Sequence, residues 1–374
     1  MRDGLCRAGT AAGLLLAGAA LCRWPAESAA AVRSALDLCG DVLVPALFPF
    51  FVLSSLLIAT GVAGACARPL RAVMRPLFGL SGAAAAAVLL GAVGGYPVGA
   101  RTAAELAARG DCAPEEGRRL ALFCNQCGPA FFLGAAGVGV FGSRQAGFLL
   151  MGCVLGAGLL VGIGLRLVCG PVPAGAGGRR AAARRPLAEV LPECVRGGFS
   201  ATLGVCSYVL LFSVLAELAT CSGALPVLAG GLARLCPGAG AEVLCRSGLI
   251  GLLELSTGVA GLREATSAPA ALPLCAFLLG WGGLSVHCQS LPFLRAAGAS
   301  LRSYLLAKLA QGALAAALTA AAARIVPLAA PVLAAEVVHT GPGPLGRLTV
   351  LLWALVGLSF LAFGKKRVEK TGRS

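Results

Sequence analysis

Gly94-Gly95-Tyr96-Pro97-Val98-Gly99 lies inside residues 76–100, a run without a single charge, closed by Arg75 on one side and Arg101 on the other. The run is long enough to cross a bilayer, which takes about 20 apolar residues. Its middle breaks a helix: adjacent glycines weaken it, and Pro97 removes a backbone donor and crowds the preceding turn. How this segment is read decides the topology. If every apolar run crossed once, either the cluster Arg101, Arg109, Arg118 and Arg119 or the cluster Arg179, Arg180, Arg184 and Arg185 would fall outside. If 76–100 is a re-entrant hairpin, both fall inside, as the positive-inside rule requires. Residues 241–262, centred on Gly251-Leu252-Leu253-Glu254-Leu255-Ser256-Thr257-Gly258, take the same treatment. Arg295, Arg302 and the tail Lys365, Lys366, Arg367, Lys370 and Arg373 are then inside too.

The composition agrees with a membrane chain. Of 374 residues 58% are hydrophobic and only 13% charged, and the mean hydropathy is +0.86. Soluble chains carry nearly twice that charge, so a disordered chain, a coiled coil and an ordinary soluble enzyme are excluded. The 53 glycines suit close packing of membrane helices. The net charge of +15 does not read as a nucleic-acid surface, because the cations sit in short clusters between apolar runs, Arg68, Arg71 and Arg75 being another. The 16 cysteines fall mostly inside apolar runs, where they act as small hydrophobes. The one C-x-x-C, Cys124 and Cys127, lacks a redox-motif context or a second pair at zinc spacing.

The expected fold class is an all-α polytopic membrane protein with about eight transmembrane helices and two re-entrant hairpins in an inverted repeat. The spans are 8–24, 38–62, 120–142, 145–168, 198–220, 266–292, 303–326 and 346–363. The first is taken as an uncleaved span rather than a signal peptide, although Ala29–Ala31 offers cleavage-type residues. Five segments follow: 1–37, an N-terminal span and lead-in; 38–168, the first repeat unit; 169–197, a basic cytoplasmic linker; 198–326, the second unit; and 327–374, a last span and basic tail. Each unit reads span, hairpin, span, span. Phe50 to Gly95 and Leu211 to Ser256 are both 45 residues apart, and Gly95 to Asn125 and Ser256 to Ser285 are 30 and 29 apart. The units start on opposite sides, and inverted repeats with broken helices are an architecture of secondary transporters.

Irregular backbone at membrane depth survives only where protein or a water-filled cavity covers it, so Gly94–Gly99 and Glu254–Gly258 mark a candidate cavity. The N–H groups of a half-helix at a hairpin tip favour an anion. Gly94 and Gly95 permit close approach, Tyr96 offers a ring and a hydroxyl, and Pro97 preorganises the next turn. Glu254, a carboxylate in an apolar run, is a functional hypothesis by default. It suits proton coupling, or a sodium ion held with Ser256 and Thr257; the alternative is an interfacial Glu paired with Arg246 or Arg263. Asn125 and Gln126 before Gly128-Pro129, and Ser285, His287 and Gln289 after Gly280-Trp281-Gly282-Gly283, are equivalent polar clusters by the repeat. Lys308 lies near a span end, where it can snorkel. Glu115 and Glu116 after Pro114 signal a helix start. No catalytic constellation is present in the sequence, so no enzyme, cofactor or bound metal is expected beyond a coupling H+ or Na+.

At these residues the chain resembles the sporulation integral membrane protein family of the YlbJ type. The stretches are Leu43-Val44-Pro45-Ala46-Leu47-Phe48-Pro49-Phe50, Gly94-Gly95-Tyr96-Pro97-Val98-Gly99-Ala100-Arg101, Gly251 to Gly258, and Gly282-Gly283-Leu284-Ser285-Val286-His287-Cys288-Gln289, with Tyr304-Leu305-Leu306-Ala307-Lys308. The likeness covers about 38–326. The family has an Asn-rich stretch with Ser-Pro where this chain reads Asn125-Gln126-Cys127-Gly128-Pro129; Asn125 and Pro129 carry over, and the hydroxyl does not. The hairpin segments also resemble gate domains related to nucleoside transporters. The resemblance implies a multi-pass bacterial membrane protein of endospore formation that moves dipicolinate across the outer forespore membrane. Hairpin N–H groups would take the carboxylates, Tyr96 the ring, and Arg101 would be a counter-charge. The expected partners are a small anionic solute and the lipid bilayer, with a homo-oligomer left open and no nucleic acid. A carrier for nucleosides or another polar solute, and a non-transporting spore-envelope scaffold, are the alternatives.

Overall fold

A computed structural model of the chain describes residues 2–62, 65, 67–172 and 186–325. The expected span at 346–363, the basic tail, His339 and residues 173–185 of the linker lie outside the described residues. The described residues are helical, without a strand. Helix α1 (Arg2–Arg23) runs into α2 (Pro25–Leu38), a π-helical turn at Cys39–Leu43 and α3 (Val44–Ala59). After α4 (Arg68–Val73) come α5 (Ala85–Gly94), α6 (Val98–Ala108), α7 (Pro114–Phe123), a π-helical segment Phe131–Val140 and α8 (Arg144–Cys169). Helices α9 (Leu187–Cys221), α10 (Ala224–Leu235), α11 (Ala241–Leu253), α12 (Leu255–Gly261), α13 (Ala271–Trp281), α14 (Gly283–Ala296) and α15 (Leu301–Ala322) follow.

Among the described residues four segments are long and apolar enough to cross a membrane: α8, α9, Ala271–Ala296 and α15. Two bent pairs raise the number to six: Pro25–Leu43 with Leu47–Ala59, bent by 52°, and Arg68–Phe78 with Gly82–Gly94, bent by 119°. The first bend falls at Pro45, whose ring cannot continue the ladder. The expected span 38–62 is therefore only the second limb of a helix that starts at Pro25. The apolar part of α1, Ala11–Arg23, is shorter than a full crossing.

Both glycine-marked breaks turn the chain back on itself. Helix α5 packs on α6, and α11 on α12. A Cβ on Gly258 would collide with the backbone of Gly251, and one on Gly261 would meet the Ser247 hydroxyl at 2.8 Å. Such contacts across Glu254 require a hairpin, not a continuous helix. The first hairpin sits later than the uncharged run suggests: its second arm extends through Arg101 to Ala108. The expected spans 120–142 and 266–292 are also interrupted. Helix α7 stops at Phe123 and the chain is irregular through Gly128. Helices α13 and α14 meet at Gly282 and Gly283, whose φ values of 95° and 77° are left-handed and cheap only for glycine.

The halves interlock. Helix α3 packs on α9, and α8 on α15; α8 touches both the π-helical segment and α13, while α15 touches both α13 and α7. Glycines allow the hairpins to seat against the breaks. The Cys124 carbonyl oxygen rests against Gly91 and Gly99, Gly95 lies on Gly128, and Gly283 faces the Gly251 carbonyl and Leu255.

Several basic residues gather at one end. Arg75 donates to the Val172 carbonyl at 2.9 Å, and Arg119 donates to the carbonyls of Gly170 and Cys169. Cys169 and Gly170 end α8, where a cation is favourable. The side chain of Arg118 lies beside Gly298, which brings the turn between Arg295 and Arg302 to the same end. Glu116 is structural, as the helix-start signal implies. Its carboxylate accepts from the Ala113 N–H at 3.0 Å and from the N–H and hydroxyl of Ser81, pinning the start of the first hairpin to α7. Buried charge-assisted bonds are worth about 1.5–3 kcal/mol each. Glu116→Ala is therefore expected to cost about 3 kcal/mol in thermal unfolding, while Glu115→Ala, at a half-exposed carboxylate paired with Arg118 and with Arg119, which keeps its bonds to the carbonyls of Gly170 and Cys169, changes little.

Candidate substrate and coupling site

The tip of the first hairpin points into the centre of the helix assembly. The Tyr96–Pro97 peptide is cis, and Tyr96 is buried with its hydroxyl donating to the Leu279 carbonyl at 3.0 Å. That carbonyl belongs to the last turn of α13, just before the second break. Gly282 leaves room for the Tyr96 ring beside it. The tip of one half therefore caps the broken helix of the other.

The first break supplies the other wall. Asn125 is fully buried, and its Nδ2 donates to the Ser290 hydroxyl and the Tyr304 hydroxyl, both at 2.8 Å. Gln126 donates to the Phe123 carbonyl at 2.5 Å and accepts from Gln311. Gln311 also donates to the Val154 carbonyl at 3.2 Å. The Lys308 ammonium donates to the Asn125 carbonyl at 2.9 Å and to Gln311 Oε1 at 2.6 Å, and stands 5.0 Å over the Tyr96 ring. His287 is wedged edge-on between Trp281, 4.4 Å away, and Tyr304, 5.4 Å away.

Thus Tyr96, Asn125 and Gln126 join one network with four residues the sequence reading did not select: Ser290, Tyr304, Lys308 and Gln311. The expectation that Lys308 snorkels is overturned. It is fully buried, because the carbonyl exposed by the break at Cys124–Gly128 reaches it. A signal existed: Tyr304, Lys308 and Gln311 are spaced i, i+4, i+7, one face of a helix.

A second group lines a cavity of about 180 Å³ between α3, α9, the start of α6 and α14. Pro97, Arg101 and Gln289 contribute to it, with Phe51, Ser54 and Tyr208. Arg101 is exposed and paired with Glu105 at 2.8 Å. Gln289 is buried, and its Oε1 has no hydrogen-bond partner among the described residues. The same holds for Asn125 Oδ1, Ser285 Oγ and both ring nitrogens of His287. Buried polar groups are nearly always satisfied, so these five atoms are exceptions among the described residues.

In the second hairpin the polar residues have local partners. Glu254 is buried and accepts from the N–H groups of Ser256 at 3.1 Å and Thr257 at 2.6 Å. It is the N-cap of α12, so those N–H groups are taken by the chain's own carboxylate and not open to an anion. Arg246 is no partner of Glu254, because it pairs with Glu264 at 2.9 Å. Thr257 meets the Ser213 hydroxyl at 3.1 Å. Neither Glu254, Ser256 nor Thr257 lines the cavity. Gly94 and Gly95 likewise serve packing: what approaches Gly95 is the Gly128 backbone, and what approaches Gly94 is Ser54 and Val98. Among the described residues no three His, Cys, Asp or Glu side chains are grouped as a metal site.

Residues 42–144, from the start of α3 through the first hairpin and the π-helical segment, match the family model described as Gate, nucleoside recognition. Over 319 residues the chain is 28% identical to the sporulation integral membrane protein YlbJ of Bacillus subtilis (strain 168), covering 78% of this chain and 76% of that protein. No solved structure matches. The two likenesses support the family that the sequence motifs resemble, and they agree with an integral membrane protein of transporter-like character.

Proposed function

We propose that this chain, a polytopic membrane protein with a Gate segment and a sporulation membrane protein among its relatives, carries a small aromatic dicarboxylate of the dipicolinate type. In a sporulating cell the membrane crossed is the outer forespore membrane. The observation that carries the reading is the cavity at the tip of the first hairpin, with Gln289 and Arg101 among its lining residues. A flat ring fits an apolar slot lined by Phe51, Pro97 and Tyr208. Arg101 faces one carboxylate, and the Gln289 N–H groups donate to the other. Alternating access follows from an inverted repeat whose two units rock about the shared network of Asn125, Tyr96 and Lys308.

The test is uptake of labelled dipicolinate into proteoliposomes. Saturable flux is expected. Gln289→Ala breaks no internal bond at Oε1, so the variant folds like the wild type, while loss of one substrate bond worth about 1.4 kcal/mol raises KM roughly tenfold. Absence of flux under imposed proton and sodium gradients overturns the reading. Flux competed by nucleosides but not by aromatic dicarboxylates moves it to the second reading, a nucleoside carrier, which the neutral amide of Gln289 in the cavity wall favours. A scaffold role predicts that neither assay responds.

A further inference from the structure

We propose that the Lys308 ammonium is a built-in cation: it fills a cation-binding position at the first helix break, so the protein has no free sodium site there.

Lys308 Nζ meets groups that also attract an alkali ion. Its contacts are the Asn125 backbone carbonyl at 2.9 Å, the Gln311 amide oxygen at 2.6 Å and the face of the Tyr96 ring at 5.0 Å. Carbonyl and amide oxygens are hard-cation ligands, and an aromatic face attracts any cation. No carboxylate forms an ion pair with Lys308 among the described residues. A lysine buried without a carboxylate partner in a membrane chain is costly and is a functional hypothesis by default.

The Asn125 carbonyl is available because α7 ends at Phe123 and residues 125–128 are irregular, so no helical N–H four residues on can take it. Unwound carbonyls of this kind hold Na+ in carriers with broken helices. Here the side chain of α15 reaches them instead. The ammonium ties together three parts: the first break through Asn125, the hairpin tip through Tyr96, and α15 itself. A dissociable ion would make that tie conditional on Na+. A tethered one makes it permanent, so solute movement is not coupled to Na+ through this position.

This consequence for coupling rests on the carrier reading; the occupancy of the position does not, and it is measured without substrate. Thermal unfolding of the purified protein is followed in NaCl and in N-methylglucamine chloride at equal ionic strength. The wild type is expected to melt at the same temperature in both. Lys308→Ala vacates the position, and its Tm is expected to rise saturably with Na+ or methylammonium, by about 2–4 °C. A wild-type Tm that rises saturably with Na+ overturns the proposal, and so does a folded Lys308→Ala protein indifferent to both cations. Should that variant not fold, equilibrium binding of labelled Na+ to the wild type decides alone: no saturable binding is expected, and saturable binding overturns the proposal. Dipicolinate uptake can fail while this result holds, and the reverse.

Discussion

Gly99→Ala is expected to abolish the folded protein, and Gly91→Ala to do the same. In both cases the new Cβ would fall well inside the contact distance of the Cys124 carbonyl oxygen, and on Gly99 it would also crowd the Cys124 carbonyl carbon and Asn125 Cα. These neighbours are backbone, held by α7 and by the network on Asn125, so no rotamer change relieves the clash. Overpacking against a movable side chain costs about 1–3 kcal/mol; here the cost exceeds about 4 kcal/mol, in the range of single changes that unfold a domain. Size-exclusion profiles after detergent extraction, with thermal unfolding of any monodisperse fraction, read the effect. Gly152→Ala and Gly164→Ala are the controls. Both lie in α8 with open space where a Cβ would go, and a helical Gly→Ala change there gains up to about 1 kcal/mol. A stable Gly99→Ala protein would show that the hairpin does not seat on the first break.

Glu254→Ala is expected to lower stability by about 2–3 kcal/mol. It removes an N-cap, worth about 1 kcal/mol, and leaves the buried N–H groups of Ser256 and Thr257 without an acceptor. Glu254→Gln keeps one acceptor oxygen on the same frame. It is expected to melt within about 1 kcal/mol of the wild type and to keep uptake within about threefold, because the carboxylate is spent on the helix end. Unchanged unfolding of the Ala variant would remove the capping role. A well-folded Gln variant with dead uptake would return Glu254 to the transport step that its place in an apolar run first suggested.

The readings that held and those that shifted divide on a physical line. The glycine and proline breaks were legible because they act through the backbone of a few neighbouring residues. So was the helix start at Glu116, a local hydrogen bond three residues long. The register of the first hairpin was not, because charge marks where a chain leaves the membrane only on average, and Arg101 is accommodated in an arm by pairing with Glu105. Lys308 illustrates the harder case. On its own helix it is one cation near an end; only the carbonyl of Asn125, 183 positions away, explains why it is buried.

Hydropathy, charge clusters and glycine–proline chemistry are properties of short segments, so the all-helical membrane chain, its helix breaks and the polar residues in apolar surroundings can be read residue by residue. What those polar residues meet depends on packing between distant segments. The tertiary structure assigned Glu254 to a helix end, Gly95 to Gly128, Gln289 to a cavity and Lys308 to an opened carbonyl, because each partner comes from a distant segment brought close by packing.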